Sequence, residues 1–213
     1  MGSLKLAAAY DAAFCFYYGE NLRALERAGF EIAYFSPLED RSLPGGASGI
    51  YLGGGYPELH AERLSGNKEM IGDIRRCVSD KMPVVAECGG FMYLTDSISD
   101  GDGQRHGMCG LIDTPCGKKD RLVRFGYVEI SDGTGLWLNE GESIRGHEFH
   151  YYDAEDNGEG ALIRKASSGK QYREVHITDT MWAGWPHLYF RSCPGFVRSF
   201  AEKCRRYDKE RST

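Results

Sequence analysis

The sequence predicts an α/β protein with a doubly wound, mostly parallel sheet and an antiparallel extension. In the first half, short β-rich runs alternate with segments of helical periodicity, which is typical of parallel strands joined by crossover helices. In the second half, several β-rich runs follow one another with turns between them. The 213 residues fit one domain with a substantial core.

The first half contains four predicted strands and two predicted helices. The strands are the runs LKLAAAY, FEIAYFSP, GIYL and MPVVAE. The helices are expected where apolar residues recur at helical spacing, namely Tyr18, Leu22, Leu25 and Ala28 before Gly29, and Met70, Ile71, Ile74, Cys77 and Val78.

The second half is predicted to form the antiparallel extension, or edge, of the same sheet. Its strands are FGYVEIS, ESIRGHEFHYY, ALIRKAS and QYREVHIT, with a hairpin turn at SSGK between the last two. The chain then ends in a helix that begins near Pro194 and places Phe196, Val197, Phe200 and Cys204 on one face.

Composition excludes several classes of function. A net charge of −5 argues against a surface for nucleic acid or anionic membrane, and there is no apolar run near the length of a membrane span. The start lacks the apolar core of a secretory signal. We expect residues 1–3 to be a leader and residues 4–213 to form a single domain.

Cysteine usage points to the cytoplasm. Seven cysteines occur, an odd number, and no CxxC pair is present. A disulfide framework would use an even number of cysteines, and a four-thiolate zinc site would show closely spaced cysteine pairs. We therefore expect reduced thiols and no metal.

Cys88 lies in the stretch VVAECGGFMYL, where a predicted strand runs into two glycines. A strand, a sharp turn and a helix would make a nucleophile elbow. A helix starting near Gly89 would lower the pKa of the thiol and direct N–H groups at an oxyanion. The alternative is a packed cysteine at the end of a strand, and this stretch alone leaves both open.

Two other stretches favour the nucleophile. In YLGGGYPELH, the glycines 53–55 would turn N–H groups toward a neighbouring strand end, although a flexible turn would read the same way. In MWAGWPHLYF, His187 lies in an aromatic setting and would serve as the base that a cysteine nucleophile needs. The alternative for His187 is a core histidine with its hydrogen bonds satisfied.

A family resemblance joins these stretches. The segments DAAFCFYYGENL, YLGGGYPELHA, AECGGFMYL, RFGYVEI and RGHEFHYY occur in this order. Together they resemble the glutaminase domain of the cobyrinic acid a,c-diamide synthases, which are class I glutamine amidotransferases, from about residue 4 to about residue 200. The resemblance implies a flavodoxin-like class I amidotransferase fold and an enzyme that hydrolyses the side-chain amide of glutamine.

The resemblance also implies roles for individual residues. Cys88 would be the nucleophile and His187 its base. The oxyanion hole would comprise Gly54, Gly55 and Gly89, and the residues implied for substrate binding or support of the site are Arg124, Glu148 and His150. For Glu148 and His150, the alternative is two side chains on one strand face. Tyr189 stands two residues after His187, where many class I amidotransferases have an acid, so we expect a Cys–His dyad rather than a triad.

In the family, an ATP-binding synthetase domain uses the ammonia to amidate tetrapyrrole carboxylates in cobalamin biosynthesis. No GxxxxGK[ST] motif occurs here, so ATP and Mg²⁺ are expected in a partner domain or subunit, and the glutaminase step needs no cofactor. Three other interpretations stay open. They are a catalytically decayed docking module, amidation of another acceptor such as a nickel tetrapyrrole precursor, and a different elbow-cysteine enzyme such as a peptidase.

Overall fold

The computed structural model describes residues 4–212, so the expected leader at residues 1–3 lies outside the described residues. The strands are β1 (Leu4–Ala9), β2 (Phe30–Phe35), β3 (Gly49–Leu52), β4 (Val84–Glu87), β5 (Thr95–Ser99), β6 (Arg105–Gly107), β7 (Ile112–Lys118), β8 (Arg124–Asp132), β9 (Ile144–His150), β10 (Tyr152–Ala154), β11 (Ala161–Lys165), β12 (Gln171–Glu174), β13 (His176–Ile177), β14 (Met181–Gly184) and β15 (His187–Tyr189). The α-helices are α1 (Gly19–Arg27), α2 (Ala61–Gly66), α3 (Lys68–Ser79), α4 (Gly89–Leu94) and α5 (Pro194–Arg211), and 3₁₀ turns span Pro57–His60 and Phe190–Ser192.

The central sheet has six strands in the order β13-β14-β4-β3-β1-β2. All neighbouring pairs are parallel except β13 with β14. The five parallel strands follow the flavodoxin-like order, in which ligands bind beyond the carboxyl ends of the strands. The predicted parallel sheet is therefore confirmed, and Cys88 directly follows one of its inner strands.

Helices cover both faces of this sheet. On one face, Ile74 of α3 and Ile50 of β3 belong to one buried hydrophobic cluster. On the other face, Leu25 of α1 and Phe200 of α5 share a cluster with Val85 of β4. The alternation of strand residues between the two clusters confirms the doubly wound arrangement, because successive strand side chains point to opposite faces.

The antiparallel strands differ in place from the prediction. Instead of extending the central sheet, most of them form a separate five-stranded sheet in the order β12-β11-β8-β9-β15, and only β13 joins the edge of the central one. Strand periodicity identifies a half-buried strand but carries no information about its partner. The separate sheet is important for the site because β15 pairs with β9 and places His187 opposite His147.

A third sheet was not anticipated. It has four short strands in the order β10-β7-β5-β6. Segments such as TDSIS and IDTPCGK are rich in polar residues and proline, which are depleted in strands and hide the alternation. None of the helices between residues 4 and 212 has the length and apolar character needed to cross a membrane.

Candidate active site

Cys88 occupies a strained turn between β4 and α4. Its backbone has φ 49° and ψ −104°, a conformation that a residue with a side chain rarely adopts. Two hydrogen bonds hold the turn: the Cys88 N–H donates to the Gly184 carbonyl at 2.8 Å, and the Met92 N–H donates to the Cys88 carbonyl at 2.9 Å. The predicted strand, turn and helix are thus all present.

The glycines after Cys88 are required by close approach of the backbone. A Cβ at Gly90 would lie 2.2 Å from the Leu52 carbonyl oxygen. A Cβ at Gly89 would lie 2.9 Å from Cδ of Pro57 and 3.0 Å from the nitrogen of Gly55. The start of α4 therefore packs directly against the glycine loop that follows β3.

Two backbone N–H groups are candidates for an oxyanion hole, and they differ in part from the expected set. The Gly54 N–H already donates to the Phe16 carbonyl at 3.2 Å, in a bridge between the two loops. No hydrogen bond within residues 4–212 uses the Gly55 N–H, and Gly89 stands at the first position of α4, where the N–H has no partner inside the helix. The geometry favours Gly55 and Gly89 as donors, whereas the Gly54 N–H is engaged elsewhere.

His187 is buried against the same glycine loop. A Cβ at Gly54 would lie 2.3 Å from Cε1 of His187, and the Phe16 ring contacts the imidazole edge-on with centroids 4.7 Å apart. The Nδ1 atom is buried without a hydrogen-bond partner among the described residues. Burial, with the nearby His147 and His150, lowers the pKa of His187 to about 3, so its imidazole is neutral at pH 7.

Cys88 and His187 line one cavity of about 220 Å³. A second cavity of about 230 Å³ also reaches Cys88. Both are lined by Gly55, Tyr56, Cys88 and Phe149. The structure therefore brings together the predicted nucleophile, the predicted base and the glycine loop, and both cavities are lined by Cys88.

The protonation state of the thiol differs from the sequence expectation. Burial, together with the charge of Glu58, raises the pKa of Cys88 to about 12, although the Gly89 N–H acts in the opposite direction. One short helix of six residues does not outweigh the loss of water around the sulfur. In the free protein, Cys88 is a neutral thiol beside a neutral imidazole.

The strand that carries His187 is held by two buried polar side chains. The Leu188 N–H donates to Oε1 of Glu87 at 3.3 Å, and Nδ2 of Asn21 donates to the Leu188 carbonyl at 2.7 Å. The Phe190 N–H also donates to Oδ1 of Asn21 at 2.9 Å. These contacts tie β15 to β4 and α1 although β15 has no strand partner in the central sheet. Tyr189 is partly exposed and contacts the Tyr18 ring.

Arg124 and Glu148 line neither cavity at Cys88. Nη2 of Arg124 pairs with Oε1 of Glu174 at 2.9 Å, and the Tyr172 hydroxyl donates to Glu148. The Arg124 guanidinium also stacks over the Tyr172 ring, 4.6 Å from its centroid. Burial, with the charge of Glu148, raises the pKa of Glu174 to about 8. These four residues form a polar cluster on β8, β9 and β12, in which the two glutamates are buried and Arg124 and Tyr172 are half-buried.

His150 lies apart from that cluster, in the wall of the second cavity. Its Nδ1 donates to the Tyr152 carbonyl at 2.7 Å, and its ring stacks on Trp185 with centroids 4.0 Å apart. Burial lowers the pKa of His150 to about 4. Within residues 4–212, no group of three or more His, Cys, Asp or Glu side chains is arranged to hold a metal.

Sequence reasoning missed three residues near the site. His147 lines the cavity of His187 and was passed over in favour of its neighbours Glu148 and His150. Glu58 and Lys118 also line the second cavity, yet Pro57-Glu58 is typical of an ordinary loop or helix start and no strand was predicted around Lys118. The strand alternation in RGHEFH offered a signal for His147, since residues 147 and 149 must share a face.

Comparison with known proteins shows which family the chain belongs to. A family profile described as the CobB/CobQ-like glutamine amidotransferase domain matches residues 5–194. The cobyrinate a,c-diamide synthase of Caldanaerobacter subterraneus subsp. tengcongensis is 38% identical over 210 residues, covering 97% of this chain and 46% of that protein. The cobyrinate a,c-diamide synthase of Fusobacterium nucleatum subsp. nucleatum is 41% identical over 198 residues, covering 90% of this chain and 43% of that protein.

Solved structures share the fold at low identity. The structure of PurLQS from Thermotoga maritima matches with a TM-score of 0.60 at 14% identity, covering 96% of this chain and 99% of that one. A glutamine amidotransferase from Thermotoga maritima matches with a TM-score of 0.59 at 10% identity, covering 97% and 86%. The chain spans about half the length of the curated relatives it matches. On the extent of the profile match, this chain belongs to the CobB/CobQ-like glutamine amidotransferase domain family.

Proposed function

We propose that this chain hydrolyses the side-chain amide of glutamine, with Cys88 as nucleophile and His187 as base, and supplies the ammonia to an amide ligase. One observation carries the proposal: Cys88, on a strained turn, and His187, with an unpartnered Nδ1, line the same cavity. A nucleophile and a neutral base that share a cavity are the minimum that acyl transfer through a thioester requires.

The chemistry starts from the neutral pair. Sγ of Cys88 attacks the amide carbon while His187 takes the thiol proton, and the N–H groups of Gly55 and Gly89 stabilise the oxyanion. His187 then gives its proton to the departing nitrogen, which leaves as ammonia and a γ-glutamyl thioester. Water, deprotonated by His187, attacks the thioester, and the thiol leaves with that proton to release glutamate.

The acceptor of the ammonia is proposed from the relatives. Their printed name is cobyrinate a,c-diamide synthase, so we infer that the ammonia amidates cobyrinic acid-type carboxylates in cobalamin biosynthesis. A nickel tetrapyrrole precursor is the alternative acceptor, because a second half of the enzyme would recognise either one. We place both halves in the cytoplasm, in keeping with the seven free thiols.

ATP and Mg²⁺ would act in that second half. This chain contains no GxxxxGK[ST] loop that would hold the phosphates of ATP. The acidic grouping that Mg²⁺ requires is also missing from residues 4–212.

Ammonia release from glutamine by the 213-residue chain tests the proposal. Cys88→Ala should abolish release, because the thioester cannot form. Cys15→Ser is the matched control, since Cys15 is an exposed free thiol that lines the same cavity, and it should keep most of the activity. Equal turnover by Cys88→Ala and the parent would refute the nucleophile. A parent that never releases ammonia would favour the decayed docking module, which Tyr189 at the acid position suggests.

A further inference from the structure

The second cavity at Cys88 carries two opposite charges in addition to the sulfur. Glu58 lies on the 3₁₀ turn Pro57–His60, and Lys118 ends β7; both line this cavity of about 230 Å³. The cavity wall that contains them is formed by two segments far apart in sequence. Its volume exceeds that of one amino acid of glutamine's size.

Neither charge is neutralised by an ion pair. Among the salt bridges of residues 4–212, none includes Glu58 or Lys118. Burial raises the pKa of Glu58, and a hydrogen bond from its own backbone N–H and then the charge of Lys118 lower it, so Glu58 and Lys118 interact electrostatically. A partly buried carboxylate without a close cation is unfavourable in the free protein, and a cationic ligand would offset that cost.

Free glutamine has the complementary charges. Its reacting amide must reach Cys88, while its α-ammonium and α-carboxylate lie at the other end of the same short molecule. Resting on the proposed glutaminase function, we propose that Glu58 binds the α-ammonium of glutamine and Lys118 binds its α-carboxylate. The second cavity then holds the amino acid, and His187 faces the amide from the first cavity.

In this assignment, binding of glutamine also promotes ionisation of the Cys88 thiol. The charge of Glu58 is the second cause, after burial, of the raised pKa of the Cys88 thiol. An α-ammonium bound to Glu58 neutralises that charge and makes the thiolate less costly in the occupied site. Free glutamine therefore activates the sulfur, whereas a plain amide of the same length leaves the unfavourable charge in place.

Substrates that lack one of the two α-groups distinguish a role of Glu58 and Lys118 in binding glutamine from a role in maintaining the structure. Glutaramate lacks the α-ammonium, and 4-aminobutanamide lacks the α-carboxylate. Glu58→Gln should lower kcat/KM for glutamine by about 10²-fold, the range for losing one charged contact. It should raise kcat/KM for glutaramate or leave it unchanged, because the substitution also removes the charge that makes the Cys88 thiolate costly. Lys118→Met should lower kcat/KM for glutamine by about 10-fold, less because Lys118 is exposed, and leave 4-aminobutanamide unchanged.

Two neighbouring residues provide matched controls. Glu62→Gln and Lys119→Met make the same charge changes at exposed positions outside the cavity, and neither should alter kcat/KM. A Glu58→Gln variant that loses activity equally on glutamine and glutaramate would overturn the assignment, since only a structural defect affects both.

Protection of Cys88 from alkylation keeps the test independent of turnover. Glutamine should slow alkylation of Cys88 by chloroacetamide in the parent chain and fail to do so, at the same concentration, in Glu58→Gln. Protection without ammonia release in the parent would support this site and reject the glutaminase function. Equal protection in both chains would reject the site alone.

Discussion

Glu87 accepts a hydrogen bond from the backbone N–H of Leu188, at 3.3 Å. The residue before the proposed nucleophile is thereby linked to the residue after the proposed base. Asn21 holds the carbonyl of the same Leu188, so both polar groups of that peptide are bound by buried side chains. We infer that the spacing of Cys88 and His187 is set through the backbone of β15.

Glu87→Gln should preserve activity at pH 7 and change how stability depends on pH. Burial raises the pKa of Glu87 to about 8, so the native state favours the protonated carboxyl. Its contribution to stability is complete below the unfolded pKa of about 4.5 and is lost as the pH rises through about 8. The amide retains an acceptor for Leu188 but cannot ionise.

Urea unfolding between pH 5 and pH 9 checks this. The unfolding free energy of the parent should fall with pH more steeply than that of Glu87→Gln, by up to about 1.4 kcal/mol per pH unit. Glu26→Gln, at an exposed position of α1, serves as the control and should follow the parent. Parallel curves for Glu87→Gln and the parent would show that Glu87 is already ionised at neutral pH.

The activity should not fall as the pH decreases through the ordinary pKa of histidine. Burial lowers the pKa of His187 to about 3, so the imidazole remains a neutral base as the pH falls from 7 to 5. We therefore expect kcat/KM for glutamine to change less than about threefold over that interval, where an imidazole of ordinary pKa would lose more than tenfold. A tenfold loss with an apparent pKa near 6.5 would contradict a buried, neutral His187.

Gly54→Ala should displace the base without touching the sulfur. The added Cβ would lie 2.3 Å from Cε1 of His187, so the ring must move. A displaced base costs about 10²-fold or more in kcat, because proton transfer depends on position. Gly72→Ala, in α3 with open space around its Cα, is the control and should be fully active. Unchanged kcat in Gly54→Ala would mean that His187 is not held there.

Glycine should be a better replacement than alanine for Cys88. The φ of 49° strains any residue with a Cβ, whereas glycine adopts it freely. We expect the free energy of unfolding of Cys88→Gly to be about 1 kcal/mol higher than that of Cys88→Ala. At an ordinary position the alanine variant would be the more stable of the two. Equal stability, measured by thermal or urea unfolding, would argue that the turn relaxes once the sulfur is gone.

Much of the central fold could be predicted because its signals are local. The strands around Gly53 and Cys88 and the apolar face of α3 lie where periodicity places them. The glycines at 89 and 90 indicated a tight approach that the structure contains. In the same way, the aromatic setting of His187 anticipated a buried histidine near the proposed nucleophile.

The features that could not be predicted depend on tertiary contacts. Strand periodicity could not show that β15 pairs with β9 rather than with the central sheet. The neutral thiol of Cys88 results from burial by several distant segments, which outweighs the local helix. Glu58 and Lys118 are far apart in sequence, so only the folded chain places them around one cavity.

The most direct test of the account is the position of a covalent adduct. A glutamine analogue with a chloroketone in place of the amide is offered to the chain, and the labelled peptide is located by mass spectrometry. We predict one adduct, on buried Cys88 rather than on exposed Cys15, that excess glutamine prevents and that Gly54→Ala slows. An adduct on Cys15, labelling spread over several of the seven thiols, or labelling of Cys88 that glutamine does not slow would contradict it.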